Sequence, residues 1–425
     1  MSNKSFVQDR RGFSLVELIV VMAIFVIVIM ITGSSFNMIL SNTIKLRSSE
    51  ESNIEGMIGL EMMRHDLNQA GYGLPWVSMD GTLDLPKYNE AATAPHSSYN
   101  DGFPRPSGAP ASCRIPRPVV GGNNQAASAG TYNILDKTDY LAVKATSLGR
   151  STAAQRWTYV TYSGGATPKP RPPFTQIAEN IPTGAGVIVV RHEMVDINNN
   201  ERYSSRLIYD PANISSVQYF YQPYPNAAAG NALPIEWSPQ KKDQVHYIYG
   251  VDDGVLRMPF NRVNFFVARP SNAAKIPQTC AANTGILYKT SVNHADGDLT
   301  YIPLLDCVAD MQVVFGFDLD GSGKVTAFSN ADGSAVSGST VTEIQKILAD
   351  ADLMRERLKI IKVYILAQEG RRDLTYTSPA TIAVRSTGLG EGVLTKDYDL
   401  AANNARNYRW KVYKIIAKPQ NLFNN

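Results

Sequence analysis

The longest apolar run in the chain, FSLVELIVVMAIFVIVIMI at residues 13–31, sits near its start, and a more broken apolar stretch continues to about Leu40. As a helix rising about 1.5 Å per residue, it is long enough to cross roughly 30 Å of hydrocarbon. It predicts a membrane helix. Thr32-Gly33-Ser34-Ser35 is a place where that helix could bend or loosen. The pattern then turns amphipathic: residues 41–70 contain no proline, and Ile44, Ile54, Met57 or Ile58, Met62 and Leu67 recur at helical spacing among charges. Gly71-Tyr72-Gly73-Leu74-Pro75 supplies the stop. The expectation is one long helix, half in the membrane and half amphipathic.

The periodicity changes after that. Residues 76–138 are crowded with Pro, Gly, Ser and Asn and read as loop. Short β-branched and aromatic runs follow, separated by turn residues, at 140–144, 157–162, 187–195, 203–209, 217–221, 245–249, 263–268, 311–317, 360–367 and 410–417. Thr340-Val341-Thr342-Glu343 can form a capping box, and Ile344, Ile347, Leu348, Ala351 and Leu358 then predict one further helix ending before Ile360. The fold class is α+β: a long N-terminal helix packed on a large antiparallel β-rich head. Residues 1–12 form a basic leader, 13–40 the membrane helix, 41–70 its amphipathic continuation and 71–425 the head. A divide between two subdomains is placed near 230, in Pro225-Asn226-Ala227-Ala228-Ala229-Gly230, and Lys169-Pro170-Arg171-Pro172-Pro173 reads as a stiff connector.

Glu17 breaks the apolar run, and a carboxylate at mid-membrane costs roughly 2.5–3.5 kcal/mol even on lenient scales. Lying one turn from the end of the run, it could reach the interface; otherwise it calls for a cationic partner. The residues before it suggest one. A short basic leader ending in Arg10-Arg11-Gly12, followed by Phe13, resembles the type IV prepilin signal. The resemblance implies that a prepilin peptidase cuts between Gly12 and Phe13 at the cytoplasmic membrane face and methylates the new Phe13 amine. It also implies that Glu17 pairs with the N-terminal amine of a neighbouring subunit, neutralising both charges in an apolar filament core. A secretory signal would have a shorter apolar region with a small-residue cleavage site after it. Lys4, Arg10 and Arg11 against Asp9 keep the leader basic and the N-terminus cytoplasmic.

Three blocks near the other end look like those of large PilW-type minor pilins: Leu304-Leu305-Asp306-Cys307-Val308-Ala309-Asp310-Met311-Gln312-Val313, Tyr364-Ile365-Leu366-Ala367-Gln368-Glu369-Gly370-Arg371-Arg372-Asp373, and Tyr408-Arg409-Trp410-Lys411-Val412-Tyr413. They suggest the pilin class and say nothing of what the head binds.

Composition changes the picture in two places. With 425 residues and a net charge of +3, the chain can build a large core, but neither its charge nor any dense Lys/Arg run in the head argues for a nucleic-acid partner. The three cysteines fit an exported head. Cys280 and Cys307 flank a hairpin turn at His294-Ala295-Asp296-Gly297-Asp298 and are the candidate disulfide, although Cys113 could pair with either.

The main candidate for chemistry is Asp318-Leu319-Asp320-Gly321-Ser322-Gly323-Lys324-Val325, which imitates the first half of a calcium loop. Asp318, Asp320 and Ser322 would be ligands. The twelfth position holds Ser329 where a bidentate Glu belongs, and Asp332 would have to close an irregular site. The same residues also make a plain hairpin turn. Asp196-Ile197-Asn198-Asn199-Asn200-Glu201 is a weaker echo that reads as a hairpin turn. His65, His96, His192, His246 and His294 stand apart, with no HExxH, no GxSxG and no phosphate loop, so no enzyme is expected and no cofactor is required beyond the candidate Ca²⁺.

The function expected is that of a minor subunit of a type IV pilus, at its tip or in its priming complex. Its partners would be prepilin peptidase, other minor pilins, the major pilin and the inner-membrane assembly platform. The subunit would wait in the inner membrane with its head periplasmic, and become extracellular in the filament. A J-type pseudopilin of type II secretion is the alternative within the class. A membrane-tethered binding domain or enzyme is the alternative outside it.

Overall fold

The computed structural model describes residues 14–75, 88–101, 116–128, 130–166, 168, 180–197, 200–208, 222–225, 233–385 and 391–422, without the side chains of 41–42, 44–55, 195–197, 200–204 and 391. The first helix, α1, runs Leu15–Asn68. The chain separates into two compact units inside it, at Asn53 and Ile54.

In the first unit, Leu15–Leu40 is long and apolar enough to span a membrane. The suspected weak spot stays helical. Thr32 Oγ1 donates to Val28 O at 2.7 Å and Ser34 Oγ to Ile31 O at 2.9 Å, so these hydroxyls satisfy themselves on the helix's own carbonyls.

In the second unit, α1 buries a different stripe from the one its large apolar residues suggest. Leu60, Met63, Leu67 and Ala70 are buried, whereas Met57, Ile58 and Met62 are exposed. The reason is glycine. A Cβ on Gly59 would lie 2.1 Å from Leu304 O, so only a bare Cα lets the helix backbone settle on the strand beneath it. Gly71, at φ +84°, then turns the chain out of the helix and donates its N–H to Lys144 O.

Among the described residues the head is built on seventeen strands. The first three are β1 (Val119–Gly122), β2 (Tyr132–Ile134) and β3 (Tyr140–Ala145). The segment read as loop therefore contains two strands. Next come β4 (Trp157–Thr161), β5 (Gly186–Ile197), β6 (Asn200–Ile208), β7 (Gln222–Pro223) and β8 (Val245–Asp252). These five form a sheet of their own, in the order β4-β8-β5-β6 with β7 on β5. The strand expected at 217–221 and the divide at 226–230 lie outside the described residues, and β7 and β8 on either side belong to this same sheet.

The chain then returns with β9 (Asn261–Pro270), β10 (Gly285–Val292), β11 (Leu299–Phe317), β12 (Ala327–Asn330) and β13 (Val336–Ser337). One helix was expected after Thr340, and there are two: α2 (Val341–Ala349) and α3 (Ala351–Arg357). Asp350 separates them because its carboxylate caps α3, accepting from Asp352 N and Leu353 N. Of the capping box at Thr340, the half from Glu343 N to Thr340 Oγ1 forms, while the Glu343 carboxylate accepts from Ser339 Oγ. The last strands are β14 (Leu358–Glu369), β15 (Thr381–Ala383), β16 (Asp397–Asp399) and β17 (Arg409–Ala417).

The ten-stranded main sheet has the order β1-β3-β9-β10-β11-β12-β13, with β14 on β11, β17 on β14 and β2 on β9. On one face, Leu60, Met63 and Leu67 of α1 and Ile344, Ile347 and Met354 of α2 and α3 pack against Leu141, Phe265, Val313 and Ile361. Along one edge β11 meets β10 up to Val308 and β12 from Val314. Asp139 fills the gap between them: its N–H donates to Met311 O and its Oδ2 accepts from Val313 N at 2.7 Å.

The loop around Glu90 is tied to this sheet by buried charge. Lys144 Nζ on β3 donates to Glu90 Oε1 at 3.0 Å and to Asp101 Oδ2 at 2.6 Å. Arg262 on β9 donates through Nη1 to Glu90 Oε2 (2.9 Å) and Asn100 Oδ1 (2.6 Å), through Nη2 to His96 O (2.8 Å), and through Nε to Asn264 Oδ1 (2.8 Å). Arg117 Nε completes the set on Asp101 at 2.6 Å. Burial works against the Asp101 carboxylate, but Arg117 and Lys144 outweigh it and hold its pKa down at about 2.

Removing Glu90 leaves Lys144 and Arg262 buried without their shared partner. Glu90→Ala should therefore cost about 3–5 kcal/mol, read as a fall in the urea midpoint of the full chain. A loss below about 1 kcal/mol would show that the network carries no weight.

The histidines generate a second expectation. His246 Nδ1 donates to Trp237 O at 2.9 Å and its Nε2 accepts from Arg191 Nε at 3.2 Å, an arrangement that needs the neutral ring. Burial lowers the pKa of His96, His192, His246 and His294 to about 4 each. The unfolded chain takes up these protons near pH 6.5 and the folded one does not, so their contribution to stability falls as pH drops from about 6.5 to 4. Burial of Asp139, raised to about 7, and Asp310, raised to about 6, works in the opposite sense over the same window. Asp66, which burial also raises, adds to them, but the four histidines outweigh these three carboxylates, and the urea midpoint should be lower at pH 4.5 than at pH 7.

Candidate functional site

Gly12 and Phe13 lie outside the described residues, and α1 begins immediately after them. Its first turn is closed by a reciprocal pair: Ser14 N donates to Glu17 Oε2 at 3.0 Å, and Glu17 N donates to Ser14 Oγ at 3.3 Å. This is a capping box. Glu17 is thus more than an isolated charge in an apolar run, because its carboxylate takes up a main-chain donor at the helix start. The signal was present as Ser14-Leu15-Val16-Glu17, the same spacing that marked Thr340.

The candidate calcium loop joins β11 to β12. Asp318 Oδ1 accepts from Gly321 N (2.8 Å) and Ser322 N (3.1 Å), and its Oδ2 from Gly323 N (2.8 Å). Asp320 Oδ1 accepts from Ser322 N at 3.0 Å, and Ser322 Oγ from Lys324 N at 3.3 Å. Arg357 Nη1 occupies Leu319 O at 2.6 Å. The oxygens that a cation would need thus hold the turn's own backbone. Asp332 lies in the next turn, between β12 and β13, where its Oδ1 accepts from Ser334 N. Among the described residues no group of three or more His, Cys, Asp or Glu side chains converges as a metal site. At the weaker echo, β5 and β6 pair Ile197 with Asn200, as a hairpin requires.

Cys280 and Cys307 form a disulfide with Cα atoms 5.0 Å apart, and Cys113 lies outside the described residues. Cys307 sits at φ +54° beside the irregularity where β11 changes register on β14, between Val308 and Asp310. The bridge therefore fastens the chain before β10 to a bent point of the longest strand. Closing a loop of 27 residues restricts the unfolded chain by about 3.5 kcal/mol in the chain-entropy model.

The three blocks singled out in the sequence fall on adjacent strands. Met311 of β11 pairs with Ile365 of β14, which pairs with Tyr413 of β17. This triplet also receives α1: Gly59 lies on Leu304, and a Cβ on Gly56 would meet Leu305 at 3.0 Å and the Tyr413 hydroxyl at 3.7 Å. The part of α1 from Ile54 onward and the blocks thus belong to one structural unit. Residues 8–33 match the model of the prokaryotic N-terminal methylation motif, and residues 265–416 match that of Type IV Pilus-assembly protein W.

The chain carries a PilW domain behind a prepilin methylation motif. Together the two matches support a pilin-like, pilus-associated protein. The PilW segment takes in the main sheet from β9 to β17, whereas the five-stranded sheet falls outside it. Both families are structural ones of pilus assembly. No curated protein and no solved structure matches the chain significantly.

The geometry at Asp318 favours the turn over the ion. Titration of the full chain with millimolar Ca²⁺ should give no binding heat, and chelator should leave its melting temperature unchanged. A Ca²⁺-dependent rise in melting temperature that disappears in Asp318→Asn would establish a metal site instead.

Proposed function

We propose that this chain is a minor subunit of a type IV pilus, working at or near the filament tip or in priming its assembly. The observation that carries the reading is the methylation-motif match at 8–33, which takes in residues 15–33 of a membrane-length helix at Leu15–Leu40, in one chain with the PilW match at 265–416. The precursor spans the inner membrane with its head in the periplasm. Prepilin peptidase cuts between Gly12 and Phe13 and methylates the Phe13 amine. The assembly platform then passes the subunit into a filament among other minor pilins and the major pilin, where the head is extracellular.

Two features of this molecule support the placement. Met57, Ile58 and Met62 stay exposed on α1 and give neighbouring subunit helices an apolar surface to pack on. The five-stranded sheet inserted between β3 and β9 adds bulk beyond the PilW segment. Shaft subunits repeat closely around a bundle of helices, so such a head is easier to place at an end. The protein acts by assembly, with no catalytic step of its own. The PilW match favours a pilus over a type II secretion pseudopilus.

Purified filament protein should begin at methylated Phe13 by mass spectrometry; an intact leader or another cut would refute the processing step. Quantitative proteomics of sheared filaments should find the chain as a small fraction of the major subunit, and near-equal abundance would refute the tip reading.

Glu17 gives the sharper test, because its two roles respond differently to substitution. Glu17→Val removes cap and charge together, while Glu17→Gln keeps an acceptor for Ser14 N and removes only the charge. Membrane levels should hold in both, since each makes the segment easier to insert. If Glu17 pairs with a neighbour's amine, both variants fail to enter filaments. Normal assembly of Glu17→Gln would leave Glu17 as a helix cap alone.

A further inference from the structure

On a strand wet on one side, the wet positions should be polar. The edge strand β4 departs from this: Thr158 and Val160 are buried, while Trp157, at 40% exposure, and Tyr159 share its outer face with Thr161. Across the ladder, Trp157 pairs with Tyr249 and Tyr159 with Tyr247. The rings of Trp157, Tyr159 and Tyr247 lie 6.0–6.5 Å apart, tilted 26–39° to one another, and Tyr249, buried in the core 6.2 Å beyond Tyr247, anchors the inner end of the row. The His192 ring adds a further contact to Tyr247 at 4.6 Å. The result is a ring-paved strip on an open sheet edge.

The distribution of charge limits what could cover this strip. Arg191 and Glu193 alternate with His192 along β5 and therefore face the other side, where Arg191 Nε meets His246 and Glu193 accepts from Gln244. The strip's own positions, Trp157, Tyr159, Thr161, Val245, Tyr247 and His192, carry no carboxylate, ammonium or guanidinium. A single-stranded nucleic acid stacks its bases on such rings but also needs cations along its phosphates, and these strip positions supply none. Apolar ring faces bordered by phenol and threonine hydroxyls suit a ligand that is flat, uncharged and rich in hydroxyls.

We propose that this strip binds an uncharged polysaccharide, with the apolar faces of sugar rings lying on Trp157, Tyr159 and Tyr247. The site needs only the head and is independent of where the subunit sits in the filament.

The test uses the full chain in a detergent without a sugar headgroup. The probes are cellulose, chitin and a soluble β-glucan, with poly(dT) as the anionic comparison. At least one polysaccharide should retain the chain, and retention should persist at high salt because no charges are being paired. Trp157→Ala and Tyr159→Ala should each weaken it about tenfold, while Trp157→Phe, which keeps a ring, should retain most of it. Should an alanine variant misfold, the native chain supplies the same answer: a bound soluble β-glucan should protect Trp157 from N-bromosuccinimide. Failure of all three polysaccharides, retention that survives both alanine variants, or preference for poly(dT) would each overturn the proposal. So would protection of Trp157 by a co-purifying pilin in place of a glycan.

Discussion

The head depends on a small set of charges that have left water. Glu90 and Lys144 are fully buried and Arg262 almost so, and each is paired within 3.0 Å. Desolvating such ions costs several kcal/mol apiece, so the network adds little net stability over a well-packed apolar equivalent. What it adds is position. Lys144 belongs to β3, Arg262 to β9, and Glu90 and Asp101 to a stretch with hardly any regular structure. Any other path for that stretch strands two cations in the interior. Residues 90–101 are thereby held to one route beside β3 and β9.

A second constraint runs along β11. This strand meets β10 and β12 on one edge and β14 on the other, carries the disulfide at Cys307, and has the glycine face of α1 resting on Leu304. Its two edge partners leave a gap that Asp139 closes with its own N–H and carboxylate. The price is a carboxylate in a dry place, and burial raises it to about 7. This strand is thus fastened on both edges and bridged to the chain before β10.

Much of this was legible in the sequence, and the failures have physical causes. The membrane segment, the β-rich head and most strands follow from periodicity. β10 was missed because Lys289 and Thr290 look like surface residues, although Lys289 is 2.6 Å from the buried Asp66 of α1. The buried stripe of α1 was misplaced because large apolar residues were taken to mark it, whereas backbone approach at Gly56 and Gly59 decides which side faces the sheet. β2 is specified by its pairing with β9, more than 120 residues away, and β1 by its pairing with β3, across a segment whose composition reads as loop, which no local window can see. At the candidate sites, Ser14-Leu15-Val16-Glu17 carries the capping-box spacing in plain view, inside a run whose apolarity dominates it. The loop at Asp318 was ambiguous in principle, since Asp, Gly and Ser at those positions serve an ion or their own backbone equally well.

That ambiguity of short polar groups recurs at Glu17, where it has more consequence. A carboxylate near the start of a membrane helix is costly if bare, but here it receives Ser14 N at 3.0 Å, next to the positive end of the helix dipole. The cap gives one carboxylate oxygen a main-chain partner within the helix itself, which lowers the cost of placing this residue in a bilayer. On the assembly reading proposed above, a capped acid would suit a subunit stored in the membrane until a neighbour's amine reaches it. A neutral residue would store better and have nothing to pair with. An uncapped acid would be harder to keep in the bilayer. On that reading, a substitution at Ser14 would act on storage first and on pairing only through Glu17.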